Sequence, residues 1–390
     1  MFNIVALHQS VRFCEAEAHE DVQMPPMPEN GQYRSRLFFT LVEEPLKHME
    51  RELREVKTVR FLCDYPWPSG KRLRPITFLL SLLSVRVERS ISTAMNGRES
   101  KLAAAIELMH EASLVHDDIV DRSELRRGVP TMQSLNGDGL ALLIGDYMVF
   151  RGLKMVLDSA ETRTDIMLAQ ELANTGLSIA HGEADQLSRY IHHHSLKDRM
   201  SFPAYIDLIA KKTASFFAGC AEAGAALAGA DKAHRQVFRD FGMNMGIVFQ
   251  VMDDLIDIYG DADVAKKSLR NNLNEGTVTL PMIHAWELYP NDRALRAFVA
   301  GRELSEKQQN SIYERLAAKN VRLYCEKTIK RYVRSVETNL GKMPVNIYTS
   351  GLADLFAYVQ QCSWGGFDIS QHSQEKSNGR TRDKGPRGSP

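Results

Sequence analysis

A chain of 390 residues, 44% hydrophobic and 25% charged, can bury a large core and has the composition of a globular protein. Its 49 basic side chains balance 49 acidic ones, which excludes the non-specific binding to nucleic acid or anionic membranes expected of a strongly basic chain. No 18-residue apolar run could span a bilayer. The five scattered cysteines (Cys14, Cys63, Cys220, Cys325, Cys362) lack metal-site spacing and point to reduced thiols in the cytoplasm.

In chain order, residues 1–32, with the turn Met24-Pro25-Pro26-Met27-Pro28, read as a flexible arm; its acidic residues fit neither a secretory signal nor an organellar leader. Helical periodicity runs from Phe38 to Phe61 and breaks at Tyr65-Pro66-Trp67-Pro68-Ser69-Gly70. A second helix opens with Lys71-Arg72-Leu73-Arg74-Pro75, and residues 88–100 read as a loop. Leu102, Ile106, Met109 and Ser113 carry a third helix into an aspartate motif, which a basic loop, Arg126 to Thr131, terminates. Further helices are expected at 139–158, 164–186, 202–229, 233–259, 277–288, 305–318 and 321–340, and a disordered tail over 365–390. The expectation is an all-α protein, with one large helical bundle domain over 33–364.

The most informative pattern occurs twice: Asp117-Asp118-x-x-Asp121 and Asp253-Asp254-x-x-Asp257. On a helix the residues four apart share a face, so each motif projects a pair of carboxylates from an otherwise apolar stretch. Such groups resist burial unless something positive lies between them. Oxygen ligands in that number suit Mg²⁺, which keeps waters and bridges carboxylates to substrate phosphates. The bland alternative is a pair of solvated acidic faces, which the apolar flanks (Ala112, Leu114, Val115; Ile247, Val248, Phe249, Val251, Met252) disfavour.

Cations bracket these motifs. Lys71 and Arg74 stand three apart at a helix start, where free N–H groups favour an anion; Arg126 and Arg127 follow the first motif, and Lys212-Thr213 and Lys267 flank the second. Together they read as two anion pockets, one with metal and one without. His110, two turns before Asp117 on one face, reads by itself either as a core residue or as a ligand.

The chain resembles the trans-polyprenyl diphosphate synthases from Gly70 to Pro281. The resemblance rests on Gly70-Lys71-Arg72-Leu73-Arg74-Pro75, the run His110 to Asp121, Arg126-Arg127-Gly128-Val129-Pro130-Thr131, Gly145-Asp146-Tyr147, Lys212-Thr213, the run Phe249 to Asp257, and Glu275 to Pro281. It implies an isoprenoid-synthase helical bundle. Asp117, Asp118, Asp121, Asp253, Asp254 and Asp257 would hold Mg²⁺, three ions per site, on an allylic diphosphate, helped by Arg126, Lys212 and Lys267. Gly70, Lys71, Arg74, His110 and Arg127 would bind isopentenyl diphosphate without metal, and Thr213 and Gln250 would border the reacting carbons. It also implies a homodimer, with the Ala/Gly-rich stretch 218–230 and helix 139–158 as contacts. One departure stands out: Lys266-Lys267-Ser268-Leu269-Arg270-Asn271-Asn272 keeps the family's lysine but replaces two glycines and an aspartate.

In such enzymes the growing tail runs down from the first motif, one isoprene unit spanning about a helical turn, ~5.4 Å. The small residues Ala112 and Ser113 then argue for a geranylgeranyl or longer product, with Met109, Leu108 or Phe150 as the floor. A class I terpene cyclase on the same fold is the alternative, opposed by the metal-free pocket. A His-Asp metal phosphohydrolase is opposed by a cluster dominated by carboxylates. A catalytically idle subunit is opposed by two intact motifs.

Overall fold

The computed structural model describes residues 37–57, 62, 65–67, 70–86, 98–192, 200–259 and 277–362, and gives the backbone but not the side chain of Asp257. The expected arm (1–32), the tail (365–390), Lys267 and the altered segment around Asn272 lie outside the described residues.

Fourteen helices are described: α1 (Leu37–Lys57), α2 (Leu73–Val85), α3 (Arg98–Val120), α4 (Met132–Asn136), α5 (Asp138–Asp158), α6 (Arg163–His192), α7 (Phe202–Ile209), α8 (Ser215–Leu227), α9 (Lys232–Tyr259), α10 (Leu280–Leu288), α11 (Arg293–Val299), α12 (Glu306–Leu316), α13 (Lys319–Leu340) and α14 (Ile347–Cys362). The strands described are the two-residue pair β1 (Leu125–Arg126) and β2 (Val129–Pro130), joined antiparallel. The all-α expectation therefore holds. No described helix is long and apolar enough to cross a membrane.

Helix α8 is the central rod, packed on α2, α6 and α9, while α3 lies between α1 and α5. Close approach explains the small residues of α8. A Cβ at Gly224 would overlap the carbonyl oxygen of Phe78 on α2, and one at Gly242 on α9 would overlap that of Phe217 on α8. Ala218, Cys220, Ala221, Ala223 and Ala225 are fully or almost fully enclosed. The stretch expected to contact a second subunit is thus consumed inside the chain, where small side chains let three helix backbones meet.

Other departures have local causes. The single helix expected over 202–229 is interrupted by a π turn, Ala210–Ala214. The helix expected from 277 starts at Leu280, because Thr279 is extended and Pro281 fits only the first turn. The expected loop over 88–100 yields to helix from Arg98. Helix α11, seven residues long, starts on an Asp292 side chain that accepts from the N–H groups of Ala294 and Leu295.

Candidate functional site

Helix α3 ends at the first aspartate motif. Arg122 is left-handed (φ 52°); its N–H bonds to the Ile119 carbonyl, and the Ser123 N–H bonds to the Asp118 carbonyl. This is a Schellman turn built on an arginine in place of the usual glycine. The chain then forms the β1–β2 hairpin, whose two turn residues, Arg127 (φ 52°) and Gly128 (φ 80°), both take positive φ as a type I′ turn requires. The hairpin swings Arg126 back onto Asp118. Its Nε lies 2.8 and 3.0 Å from the two carboxylate oxygens, and its Nη2 lies 2.7 Å from Oδ1.

Asp117, on the same turn, is more weakly compensated. Burial pushes its carboxyl up to about 7, with Glu183 and Asp121 adding to the rise and Lys212 and Arg126 opposing it. Glu183 was not singled out in the sequence. It sits on α6, 2.7 Å from Lys212 Nζ, and Gln186 accepts from the same ammonium at 2.9 Å. Gly182 permits this approach, since a Cβ there would lie 2.7 Å from Lys212 Cγ. A carboxylate and an amide three apart on a long helix were the available signal.

The second motif lies on α9. Asp253 is exposed, whereas Asp254 is buried with both oxygens engaged: Gln250 Nε2 donates to Oδ1 at 3.0 Å, and Tyr205 OH donates to Oδ2 at 2.7 Å. Thr213 Oγ1 in turn donates to Gln250 Oε1 at 2.8 Å. This chain begins before the π turn, at Tyr205, and returns inside it, at Thr213, so two positions on one face of α9 fix how the turn presents Lys212 and Thr213. Tyr205 was not anticipated.

The basic pocket forms where α2 meets α3. Arg72 is left-handed (φ 51°) at the N-cap of α2, and its side chain does not cap the helix. Arg74 lies under His110, with Nη1 2.8 Å from Nε2, and over the rings of Phe216 and Phe217 at 5.2 and 4.7 Å. His110 accepts that bond, so Nδ1 carries the ring proton; Nδ1 and Arg74 Nε are buried donors without a protein partner among the described residues. Burial and four neighbouring arginines, Arg74 first, hold His110 well below its usual value near 6.5, and burial lowers Arg74 as well. Arg127 is lowered by burial and by Arg126. Lys71 makes no ion pair with a described residue. Arg74 senses the charge of Asp117, which sets the basic pocket beside the acidic one.

Ala112 and Met109 are buried and Ser113 partly so, its hydroxyl turned back onto the His110 carbonyl at 2.8 Å. Leu108 is fully buried. Met109 packs beneath Gly152 of α5, where a Cβ would lie 2.7 Å from its Cγ. Phe150 is 69% exposed and is no floor within this chain, because it occupies the outer face of α5.

The donor set suits a hard cation. Asp117 and Asp121 put two carboxylates at the end of α3, and Asp253 on α9 is exposed. No three His, Cys, Asp or Glu side chains among the described residues enclose one point. Carboxylate oxygens are donors of the kind that hard divalent cations take alongside water and phosphate oxygens.

This architecture is that of the all-helical isoprenoid synthases. A solved polyprenyl synthase from Caulobacter crescentus CB15, complexed with calcium and isoprenyl diphosphate, superimposes with a TM-score of 0.73 at 27% identity, covering 84% of this chain and 98% of that one. The polyprenyl synthetase family model matches residues 56–316. An all-trans-nonaprenyl-diphosphate synthase (geranyl-diphosphate specific) of Rhodobacter capsulatus is 32% identical over 73% of this chain and 83% of its own length. A geranylfarnesyl diphosphate synthase of Aeropyrum pernix is 36% identical over 55% of this chain and 66% of its own length. The chain belongs to the polyprenyl synthetase family, whose members here are trans-prenyltransferases of geranylgeranyl and longer products.

The His110 ring yields a stability prediction. The unfolded chain takes up a proton near pH 6.5 that the folded pocket refuses, so stability contributed here is present above that pH and is lost as pH falls below it. His110→Gln keeps an acceptor for Arg74 and cannot titrate. Urea unfolding of the metal-free protein between pH 7.5 and 5 (about the span over which a histidine titrates) is expected to show a shallower acid loss in the variant. Parallel curves would contradict the assignment.

Proposed function

We propose that this protein condenses isopentenyl diphosphate with an allylic diphosphate, using Mg²⁺, to form an all-trans polyprenyl diphosphate of geranylgeranyl length or longer. The observation that carries the reading is the juxtaposition along α3 of two sites of opposite charge. One is acidic and cation-seeking, at Asp117 and Asp121. The other is basic, at Arg74, His110 and Lys71.

Asp117, Asp121 and Asp253, with Asp257, would hold the ions. Asp118 and Asp254, whose oxygens already accept from Arg126, Gln250 and Tyr205, would orient that set from behind. Bound Mg²⁺ supplies charge neutralisation at the departing diphosphate. Arg126 and Lys212 add fixed positive charge beside it, and Lys212 exchanges its bond to Glu183 for phosphate oxygen. Lys71, Arg74, Arg127 and the Nδ1–H of His110 bind the isopentenyl diphosphate. Its alkene carbon attacks the allylic carbon as the C–O bond breaks, and a proton is then lost. Phe216 and Phe217 wall the basic pocket from water, and Thr213 with Gln250 borders the reacting carbons.

Each added unit buries methylenes worth about 0.8 kcal/mol apiece, so affinity alone would not halt growth and a steric floor must. Met109, locked under Gly152, supports that role better than Phe150. A homodimer is part of the proposal: Leu143 on α5 is 64% exposed, Phe150 69% and Leu177 on α6 61%, an apolar face that a second copy would cover. The buried unpaired thiols Cys220 and Cys325 accord with a cytoplasmic setting.

Purified protein given Mg²⁺ and an allylic primer is expected to consume it only when isopentenyl diphosphate is also present. Cyclised product from the primer alone would favour the cyclase reading. Replacing Ala112 by Tyr should shorten the product by one or more isoprene units by mass; an unchanged product would remove the small-residue argument. Sedimentation should give a dimer that Leu143→Glu with Phe150→Glu converts to monomer, and a monomeric parent chain would overturn the interface.

A further inference from the structure

One stripe of α3 reads both arginines of the 70–74 turn. His110 takes Arg74, while Glu107, three residues before it, and Glu111, the next residue, take Arg72: Nη1 lies 2.7 Å from Glu107 Oε1 and 3.1 Å from Glu111 Oε1. Glu50 of α1 completes the grip at 2.7 Å from Nε, and Lys57 pairs with Glu111 at 2.9 Å. Arg72 holds a left-handed backbone (φ 51°), unfavourable for a residue with a Cβ, and persists in it here under three carboxylates. Gly70 passes directly over the guanidinium: a Cβ there would lie 2.9 Å from Arg72 Nη1 and 3.3 Å from both Arg127 Nη1 and Glu107 Oε1. Glu107 also favours the charged form of Arg127 against burial and Arg126. None of these glutamates suits direct contact with a diphosphate, since like charges repel. Two of the three guanidinium nitrogens of Arg72, Nε and Nη1, are already bonded to them.

We propose that Glu107, with Glu50 and Glu111, is a positioning residue for the metal-free diphosphate pocket: by gripping Arg72 it sets the left-handed turn from which Lys71 and Arg74 reach one ligand. The proposal rests on the reading of that pocket given above. Helix α3 then carries the first acidic motif and, through this hub, the placement of the basic turn. The distance between the two substrates' diphosphates is held by one rigid element.

The test titrates the full chain with isopentenyl diphosphate in excess EDTA, for the parent protein and for Glu107→Gln, Arg72→Lys and Lys71→Ala. Binding by the parent, weakened in Lys71→Ala, supports the pocket; its absence overturns the pocket reading and this inference with it. Given binding, Glu107→Gln and Arg72→Lys should each weaken it about tenfold or more, as misplacement of binding groups does. In turnover they should raise KM for isopentenyl diphosphate and leave kcat and the allylic KM within about twofold. A lower melting temperature with unchanged affinity would make the cluster merely structural and overturn the proposal. Should Glu107→Gln fail to fold, Glu50→Gln on the rim of the cluster, together with Arg72→Lys, is judged by the same criteria.

Discussion

Asp118 is 3% exposed and survives in an apolar helix because Arg126, on the first strand of the hairpin that follows, turns back to bond both of its oxygens. A buried carboxylate without such a partner costs several kcal/mol or gives up its charge. The same requirement recurs throughout the site: Asp254 is held by Gln250 and Tyr205, Glu183 by Lys212, and Glu107 and Glu111 by Arg72 and Lys57. Asp117 is less fully compensated: burial, Glu183 and Asp121 push its carboxyl up to about 7 against the pull of Lys212 and Arg126.

That unevenness organises the chemistry. Within each motif the middle aspartate is engaged by the protein: Asp118 by Arg126, Asp254 by Gln250 and Tyr205. The groups that engage the middle aspartates come from elements that also carry function: the hairpin bears Arg127 next to Arg126, and the chain from Tyr205 to Thr213 brackets the π turn presenting Lys212. Internal ion pairs thus do two things at once. They make burial of the acidic residues tolerable, and in the proposed reaction they would aim cations at the diphosphate.

Much of this was legible in the sequence because it depends on period and on residue type. Aspartates four apart in an apolar run, and Lys71 three before Arg74, need no tertiary knowledge. The structure brings Asp117, Arg126, Lys212, Arg74 and His110 into one electrostatic neighbourhood, as their spacing suggested. What was not legible depends on pairing across helices. Glu107 and Glu111 lie among buried apolar residues of α3 such as Leu108, Met109 and Ala112, and nothing local says that Arg72 will meet them. Tyr205 reads as an ordinary core aromatic until α9 is placed beside it. Phe150 reads as interior by type, yet α5 turns it outward. The Ala/Gly stretch announced close packing correctly but could not announce which helix would approach, and the answer is α2 and α9 of the same chain.

The central claim is that the two acidic motifs, far apart in sequence, act on one metal-bound diphosphate. A double-mutant cycle on Mg²⁺-dependent inorganic pyrophosphate affinity tests it most directly, using Asp117→Asn, Asp253→Asn and the combination. Shared action on one ligand predicts that the two losses fail to add, with a coupling of about 0.5–3 kcal/mol. Strict additivity would mean that the motifs serve separate ligands, and would contradict the account.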